Sequence, residues 1–531
     1  MILDVETAER SAFDRDFDAC VIGSGPAGIT LARRLAARGL DVALMEGGDL
    51  EWSDESQDVY AGESVGLAYP YLDTERLRVF GGTSGHWNGL CRAFEAADMA
   101  PRPQNPLSGW PITRADLDPY AAEVAEILDL GPNFGDVPPA TPAPPEDGFR
   151  QVWFLRSAPT RFAEKYRDEL AQSERIALGI HANLVDLRLD DGLTRVTGAV
   201  FRGYAAGDPG FTVRARSYCL CTGGLENPRL LLNFTSQIPA GIGNQNDLVG
   251  RYFCEHPTID VGEVILGEIP EVEIRYFTPT EAFIAENGVL SIVLHLNYRR
   301  RRTRPFAKEL GRSVQCALPF GERLAEAVTG DALRCDMGGL EDYVASRDPE
   351  KNPWAQLAIN SEQALNPESR VTLAEARDAF GLRRLRLNWQ TLEIDDRTIQ
   401  DATLAFAAHL AERNVGRVRL YDSVLADQPI PAAAADGQQV AGSHHMCTTR
   451  MSDDPRTGVV DRNCRVHGIA NLYVGGASVF ATGGFQNPTY TIVQLALRLA
   501  DHLAETASAG TPVAPAEASP LVPADAGAGD R

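Results

Sequence analysis

The sequence predicts an α/β protein with more than one domain. A chain of 531 residues is too long for a single compact core, so two domains are expected. Apolar residues make up 44% and charged residues 23%, the usual balance of a folded globular protein. Residues 17–46 read as strand, glycine-rich turn, helix and strand, which is the βαβ unit of a parallel sheet.

The N-terminal segment predicts a complete βαβ unit. Residues 17–22 form an apolar run typical of a buried strand, and the turn GSGPAG follows at residues 23–28. The helix after this turn has its apolar residues on one face and is expected to run to about Arg38, because Gly39 is typical of the position where a helix ends. A second strand over residues 41–45 leads directly to Glu46.

The glycine pattern in this unit predicts a dinucleotide-binding turn. GxGxxG alone is weak evidence, because glycines also punctuate ordinary turns, but here it joins a strand to a helix. Gly23 permits the tight turn, Gly25 lets a pyrophosphate approach the backbone, and Gly28 permits close helix packing. Glu46 can accept hydrogen bonds from both ribose hydroxyls, which disfavours a 2′-phosphate. The unit alone leaves NAD and FAD open.

A second glycine-rich segment favours FAD over NAD. Residues 78–89, RVFGGTSGHWNG, combine glycines with an aromatic residue and several hydrogen-bonding side chains. A flavin needs such a segment along the edge of its ring, whereas a nicotinamide enzyme usually keeps its cofactor within one nucleotide-binding half. We therefore expect FAD.

Charge and composition argue against several classes of partner. The formal net charge of −23 disfavours nucleic acid or an anionic membrane surface. Nine cysteines without CxxC pairs argue against a metal centre or a disulfide framework. The first residues lack the apolar stretch of a secretory signal, and no apolar run is long enough for a membrane span. A cytoplasmic protein is expected.

The middle of the chain carries fewer signals. Residues 174–232 show strand-like alternation, and residues 132–148, rich in proline and aspartate, predict a loop. The run Arg299 to Arg302 is most simply a solvated surface turn. Residues 507–531 are poor in bulky apolar side chains and predict a disordered tail.

The most informative stretch lies near the C-terminus. His444 and His445 stand shortly before Met451, and Asn487 precedes a helical apolar stripe. An imidazole, with an ordinary pKa of about 6.5, can accept a hydroxyl proton while a hydride leaves the carbon. An amide cannot take a proton, but it can donate a hydrogen bond to the developing alkoxide. The pattern fits a site that oxidises an alcohol, provided that the chain carries a flavin.

These motifs together resemble the glucose-methanol-choline (GMC) oxidoreductases, flavoproteins that oxidise alcohols. The resemblance covers the βαβ unit, residues 81–89 and nearly all of residues 443–503, in the same order along the chain. It also includes GWP at residues 109–111, CTGGLENPR at 221–229 and GRYFCEHP at 250–257. Within the family, the TTRM, NPT and GGTSxHW strings are similar to the branch of pyranose oxidases, glycoside 3-oxidases and fructose or sorbitol dehydrogenases.

The resemblance implies a Rossmann-like FAD-binding domain built from discontinuous segments and an α+β substrate domain with a β-sheet over the flavin. The FAD-binding domain would comprise residues 1–254, with a flavin-loop insertion near 60–110, and residues 441–506. The substrate domain would occupy most of residues 255–440, and His256, at its entry, is expected to be structural. The residues implied to bind the cofactor are Gly23, Ser24, Gly25, Pro26, Ala27, Gly28, Glu46, Gly81, Gly82, Thr83, His86, Trp87, Asn88, Gly89, Val185, Gly476, Ala477, Asn487, Pro488 and Thr489.

The catalytic residues implied by the resemblance are His444 and Asn487. The family histidine lies seven residues before the methionine of an H-x-x-G-T-x-x-M pattern, which selects His444 and leaves His445 facing the other way. Cys447 replaces the family glycine and can alter the pocket shape or oxygen access. Some relatives bond the flavin covalently at the position of His86 and others do not, so covalent and noncovalent FAD both stay open.

The expected activity is FAD-dependent oxidation of a hydroxyl group in a sugar, glycoside or polyol. Oxygen, a quinone and a carrier protein stay open as the electron acceptor. A non-sugar alcohol of specialised metabolism is the alternative substrate. Two other classes are kept: a hydroxynitrile lyase, in which the flavin is structural, and a subunit that only docks to an electron-transfer partner. Reduction of the flavin by substrate separates an oxidoreductase from a lyase.

Overall fold

The structure, a computed structural model, describes residues 1–7, 10–130, 148–267, 274–297, 354–426, 429 and 440–508. The predicted surface turn at Arg299 to Arg302 lies outside the described residues. So does the predicted loop apart from Gly148, and so does most of the predicted tail. The last helix ends at Ser508 and therefore includes the first two residues that were assigned to the tail.

In the described residues the strands are β1 (Ile2–Asp4), β2 (Asp16–Ile22), β3 (Val42–Met45), β4 (Gly62–Gly66), β5 (Leu90–Cys91), β6 (Phe149–Val152), β7 (Leu155–Arg156), β8 (Ile176–Ile180), β9 (Asn183–Leu189), β10 (Val196–Arg202), β11 (Phe211–Leu220), β12 (Thr258–Leu266), β13 (Ile274–Pro279), β14 (Ile292–Asn297), β15 (Trp354–Ser361), β16 (Arg370–Arg377), β17 (Arg383–Trp389), β18 (Gly416–Leu420) and β19 (Leu472–Val474). The α-helices are α1 (Pro26–Ala37), α2 (Asp54–Asp58), α3 (Ala96–Met99), α4 (Ala121–Ile127), α5 (Phe162–Gln172), α6 (Glu226–Asn233), α7 (Glu281–Asn287), α8 (Glu393–Glu412), α9 (Asp422–Leu425) and α10 (Thr489–Ser508).

The first sheet has eight strands in the order β1-β8-β3-β2-β11-β10-β9, with β19 also paired to β11. From β1 to β11 the neighbours are parallel, and β10 and β9 continue the sheet as antiparallel strands. The apolar run of β2 is buried, and α1 packs against β2 and β3 and against α10. Parallel strands end at one edge of the sheet, so the residues after β2, β3 and β11 meet there.

The second sheet has six antiparallel strands in the order β18-β12-β15-β14-β13-β6. The long helix α8 packs on it through an apolar stripe, in which Ile399, Ala402, Phe406 and Leu410 are buried. Burial of this apolar stripe stabilises the packing of α8 on the sheet. The polar face of a helix provides no such stabilisation.

Two strands from the N-terminal half join strands from residues 255–440. β6 pairs with β13 at one edge of the six-stranded sheet, and β4 pairs in parallel with β17 in a smaller sheet of order β16-β17-β4. Residues 1–254 therefore contribute strands to sheets formed by residues 255–440, so the two expected domains are not separated simply at residue 254.

Within the described segments, no helix is long and apolar enough to cross a membrane. The seven cysteines in these segments are all buried free thiols.

Candidate active site

A cavity of 530 Å³ opens at the shared edge where β2, β3 and β11 end, which is within the usual size range of ligand pockets. Its walls are formed by the β2–α1 turn, by residues between 74 and 88, by residues 442–445 and by the start of α10. The predicted site residues that line it are Gly23, Ser24, Gly25, Pro26, Ala27, Glu46, Gly82, Thr83, His86, Trp87, Asn88, His444, Gly476, Ala477, Asn487, Pro488 and Thr489.

Four predicted residues do not line the cavity. A Cβ atom on Gly28 would lie 1.8 Å from the Gly23 carbonyl oxygen, so this glycine lets α1 pack closely against the turn. Gly81 and Gly89 both have a positive φ and close backbone neighbours, which places them in the framework of the loop. Val185 lies on β9, where the preceding residues 182–184 line the cavity instead.

The β2–α1 turn leaves open space where a phosphate group would need it. A Cβ atom on Gly25 would meet no atom within 4 Å. Gly23 has a φ of 98°, and a Cβ atom there would lie 2.6 Å from the Cys221 carbonyl oxygen, so the turn requires glycine. The open side of the turn lies at the N-terminal end of α1, which also borders the cavity, and this fits the binding of a pyrophosphate.

Glu46 is held by the turn itself. Its Oε2 accepts hydrogen bonds from the Ser24 backbone N–H (3.0 Å) and hydroxyl (2.6 Å), and its Oε1 accepts one from the Gly48 N–H (2.8 Å). A carboxylate has about four acceptor positions. One acceptor position on Oε1 thus stays free, and Glu46 borders the cavity. A ribose could therefore use only one acceptor position of this carboxylate, whereas the sequence suggests hydrogen bonds to both ribose hydroxyls.

His444 and Asn487 meet in the cavity, although they are 43 residues apart in the chain. Nδ2 of Asn487 lies 3.4 Å from Nε2 of His444. His445 also borders the cavity, but its ring packs near two aromatic rings, with its centroid 6.0 Å from that of Tyr69 and 6.2 Å from that of Phe253. The two neighbouring histidines thus face different sides, as adjacent residues of an extended segment do.

The loop that carries Asn487 is fixed by buried hydrogen bonds. Gln486 Nε2 donates to the Asp98 carboxylate at 2.6 Å, and Trp110 Nε1 donates to the Thr482 hydroxyl at 2.9 Å. These side chains are nearly or fully buried, so little freedom is left to the backbone on the N-terminal side of Asn487.

His256 is the residue that sequence reasoning missed. Its side chain is fully buried, with Nδ1 2.9 Å from Nδ1 of His444 and Nε2 3.2 Å from the Gly483 carbonyl oxygen. The sequence assigns His256 only a structural role, and no spacing signal connects two histidines 188 residues apart. The contact arises because the chain around Cys254 pairs with that around Met446 in an antiparallel bridge.

Glu255 ties both histidine segments together. One carboxylate oxygen accepts the backbone N–H groups of His256 (2.7 Å) and His444 (2.8 Å), and the other accepts the Tyr69 hydroxyl. Glu255 is fully buried, and this burial raises the pKa of its carboxyl group to about 7.

Burial also sets the charge of the histidines. It lowers the pKa of His256 to about 4 and that of His445 to about 3, the latter with a contribution from the charge of Arg76. The pKa of His444 is held well below its ordinary value, mainly by burial and further by the two neighbouring histidines. All three imidazoles are therefore neutral at pH 7.

Cys447 occupies a backbone position that suits glycine. Its φ is 69°, in the left-handed region that non-glycine residues rarely adopt. The side chain is fully buried beside Cys254, three residues beyond His444. Cys447 thus places a buried thiol beside Cys254 at a backbone position that favours glycine.

Glu255→Gln is expected to weaken the pH dependence of stability. Because the folded-state pKa of Glu255 is raised from 4.5 to about 7, its stabilising contribution is complete below pH 4.5 and is lost as the pH rises through 7. The full loss is roughly 3 kcal/mol. Urea unfolding at pH 5 and pH 8 should show a smaller difference for Glu255→Gln than for the wild type. A conservative control is Glu281→Gln at the start of α7, and equal pH profiles for Glu255→Gln and the wild type would contradict the assignment.

Comparisons with known proteins find one matching family model and several relatives. A family model described as GMC oxidoreductase matches residues 366–496. The chain is similar to a 2-methyl-1,2-propanediol dehydrogenase of Mycolicibacterium austroafricanum, at 25% identity over 92% of this chain and 95% of that protein. It is similar to the fructose dehydrogenase large subunit of Gluconobacter japonicus (21% identical, 91% and 97% covered). A 6'''-hydroxyparomomycin C oxidase of Streptomyces lividus is 25% identical, with 93% of each chain covered.

Among solved structures, the fold is similar to that of a formate oxidase. The TM-score is 0.56 at 16% identity, and the match covers 93% of this chain and 99% of the other. The predicted mixed α/β fold is thereby confirmed at the level of architecture.

Proposed function

We propose that this chain, a member of the GMC oxidoreductase family, is an FAD-dependent enzyme that oxidises a hydroxyl group of a sugar, glycoside or polyol to a carbonyl. The observation that carries the proposal is the meeting of His444 Nε2 and Asn487 Nδ2 in the cavity that also contains the turn around Gly25. A proton acceptor and a hydrogen-bond donor thus face the same space as the dinucleotide turn.

The residues present fit FAD. The open space at Gly25 and the N-terminus of α1 would hold the pyrophosphate, and the free acceptor position of Glu46 would hold a ribose hydroxyl. Residues 82–84, 86–88 and 487–489 line the other part of the cavity and would hold the flavin. When bound, the flavin supplies the acceptor for a hydride.

The residues of the chain would then divide the work on the alcohol. His444 would accept the hydroxyl proton at Nε2, because burial lowers the pKa of its ring, which is therefore neutral, and Nε2 is the nitrogen that faces Asn487. The amide of Asn487 would donate to the same oxygen as negative charge develops. The N-terminus of α10 points its positive end towards the cavity, which favours a negative charge there.

The test of this function is anaerobic bleaching of the flavin. We expect sugars, glycosides or polyols to bleach the bound flavin, and the bleached enzyme to be re-oxidised by oxygen, a quinone or a dye, which identifies the acceptor class. An aminosugar belongs in the panel, because the net charge of −23 favours a cationic substrate and one relative is named for an aminoglycoside. Turnover without bleaching would instead indicate a lyase.

A small non-sugar diol is the second candidate substrate. The similarity to a 2-methyl-1,2-propanediol dehydrogenase favours it. Bleaching by small aliphatic diols, with none by any sugar or glycoside, would overturn the sugar proposal and leave the proposed roles of FAD and His444 intact.

His86 decides whether FAD is covalently bound. Its ring is exposed at the cavity lining between Thr83 and Trp87, and burial of part of it lowers its pKa. We propose that FAD is held without a covalent bond. Denaturing mass spectrometry should therefore show the mass of the bare chain, and an increase of one FAD that disappears in His86→Ala would show a covalent link.

Asn487→Ala is expected to retain FAD and slow its reduction by roughly 10²–10³-fold, the usual effect of losing an oxyanion-type donor. The amide matters most as the alkoxide forms, so kcat should fall more than KM rises. Stopped-flow measurement of bleaching against substrate concentration separates the two. A rise in KM with an unchanged limiting rate would show that Asn487 only binds substrate.

A further inference from the structure

The geometry points to a positioning role for His256. We propose that His256 fixes the tautomer of His444, so that Nδ1 of His444 carries the proton and Nε2 is the free base. This inference rests on the proposed function and deepens it, because it explains which nitrogen of His444 is ready to accept a proton before substrate binds.

The first step is the proton on His256 Nε2. This nitrogen lies 3.2 Å from the Gly483 carbonyl oxygen, and a carbonyl oxygen can only accept a hydrogen bond. The side chain is fully buried, so an unprotonated nitrogen facing the carbonyl would be both unsatisfied and repelled. Nε2 of His256 therefore carries a hydrogen.

The second step is that the position of the hydrogen on His256 determines its position on His444. A neutral imidazole has one N–H group, so Nδ1 of a neutral His256 is an acceptor. Nδ1 of His444 lies 2.9 Å away and must be the donor. Because the His444 ring is neutral as well, its remaining nitrogen, Nε2, has no hydrogen, and Asn487 Nδ2 lies 3.4 Å from it.

This arrangement also confines the proton during the reaction. The O–H bond of the alcohol breaks and its proton joins His444 Nε2, while the C–H electron pair leaves as the hydride that the proposed function delivers to the flavin. The positive charge on His444 is stabilised because its Nδ1–H already donates to His256. His256 keeps its own hydrogen on the Gly483 side, so it does not take up a second charge in a buried site.

The other ionisable groups around His444 do not set its tautomer. Glu255 accepts the His444 backbone N–H rather than a ring N–H, and Tyr69 donates to Glu255. Glu75 accepts the Ser443 hydroxyl. His445 is turned towards the aromatic rings of Tyr69 and Phe253.

The direct test is ¹⁵N NMR of histidine-labelled holoenzyme at rest, with the His444 signals identified by their absence in His444→Asn. We expect His444 to show a protonated Nδ1 and an unprotonated Nε2 at pH 7. The Nε2–H form at His444 would overturn the inference. Because no substrate is present, this result is independent of whether sugars bleach the flavin.

A matched pair of variants gives the second test. His256→Asn can keep an acceptor oxygen near the Nδ1 position, whereas His256→Leu has similar bulk and no acceptor. We expect the Nδ1–H tautomer and a near wild-type bleaching rate in His256→Asn. In His256→Leu the tautomer should be lost, bleaching should slow by at least about tenfold, and its pH profile should shift. Equal losses in both variants, with FAD bound and the wild-type tautomer retained, would mean that His256 is merely structural.

Discussion

Replacement of His444 by alanine is expected to leave a folded, yellow protein whose flavin is reduced by substrate about 10²–10⁴ times more slowly. The loss removes the proton acceptor, because Nε2 of His444 is the nitrogen that faces Asn487 in the cavity. FAD should stay bound, since the turn around Gly25 and the carboxylate of Glu46 are held by contacts that do not involve His444. Single-turnover bleaching with a saturating substrate measures the effect.

His445→Ala is the control for this variant, because it removes the same group one residue further along. Its ring packs on Tyr69 and Phe253, and its Nε2 has no partner among the described residues. We expect a much smaller loss in bleaching rate and some loss of stability from the vacated space. The reverse ranking would show that the base is on the other face of the segment.

The N-terminal part of the fold could be predicted because its signals are local. The structure starts β2 at Asp16 and ends α1 at Ala37, each within one residue of the bounds expected from the sequence. Apolar runs, the glycine turn and the glycine after the helix all act over a few residues. The same holds for the strands within residues 174–232.

The pairing of distant segments could not be predicted in this way. β6 and β13 become neighbours, as do β4 and β17, although more than a hundred residues separate each pair. Alternation within a strand shows that one of its faces is buried. It does not specify which other strand forms hydrogen bonds with its edge. The strand order of the six-stranded sheet therefore could not be read from one sequence.

In the candidate site, too, the residues in local motifs could be predicted, and those brought together by distant pairing could not. His444, Asn487 and the glycine turn stand in motifs, so their residue types and spacing could be recognised. His256 and Glu255 act through the bridge between the chain at Cys254 and that at Met446, which exists only in the folded protein. The residues proposed to touch the substrate, His444 and Asn487, could thus be recognised in the sequence. The residues that contact the His444 segment, His256 and Glu255, could be recognised only in the folded structure.

Gly25→Val is expected to give a folded but colourless protein. Gly25 has a φ of −74°, which any residue adopts, and a Cβ atom there would meet no protein atom within 4 Å. Valine would therefore not strain the turn, but its methyl groups would project into the space proposed for the pyrophosphate. The visible flavin spectrum of the purified variant measures FAD content, and circular dichroism checks the fold.

Two further variants separate this steric effect from damage to the turn. Gly25→Ala adds one carbon and should weaken FAD binding less than valine does. Gly28→Ala places a Cβ atom 1.8 Å from the Gly23 carbonyl oxygen, so it should destabilise the whole protein rather than the cofactor site alone. Thermal unfolding with and without added FAD distinguishes these outcomes, because a ligand raises the melting temperature only of a protein that binds it. A Gly25→Val protein that is folded and carries its full complement of FAD would show that the pyrophosphate lies elsewhere.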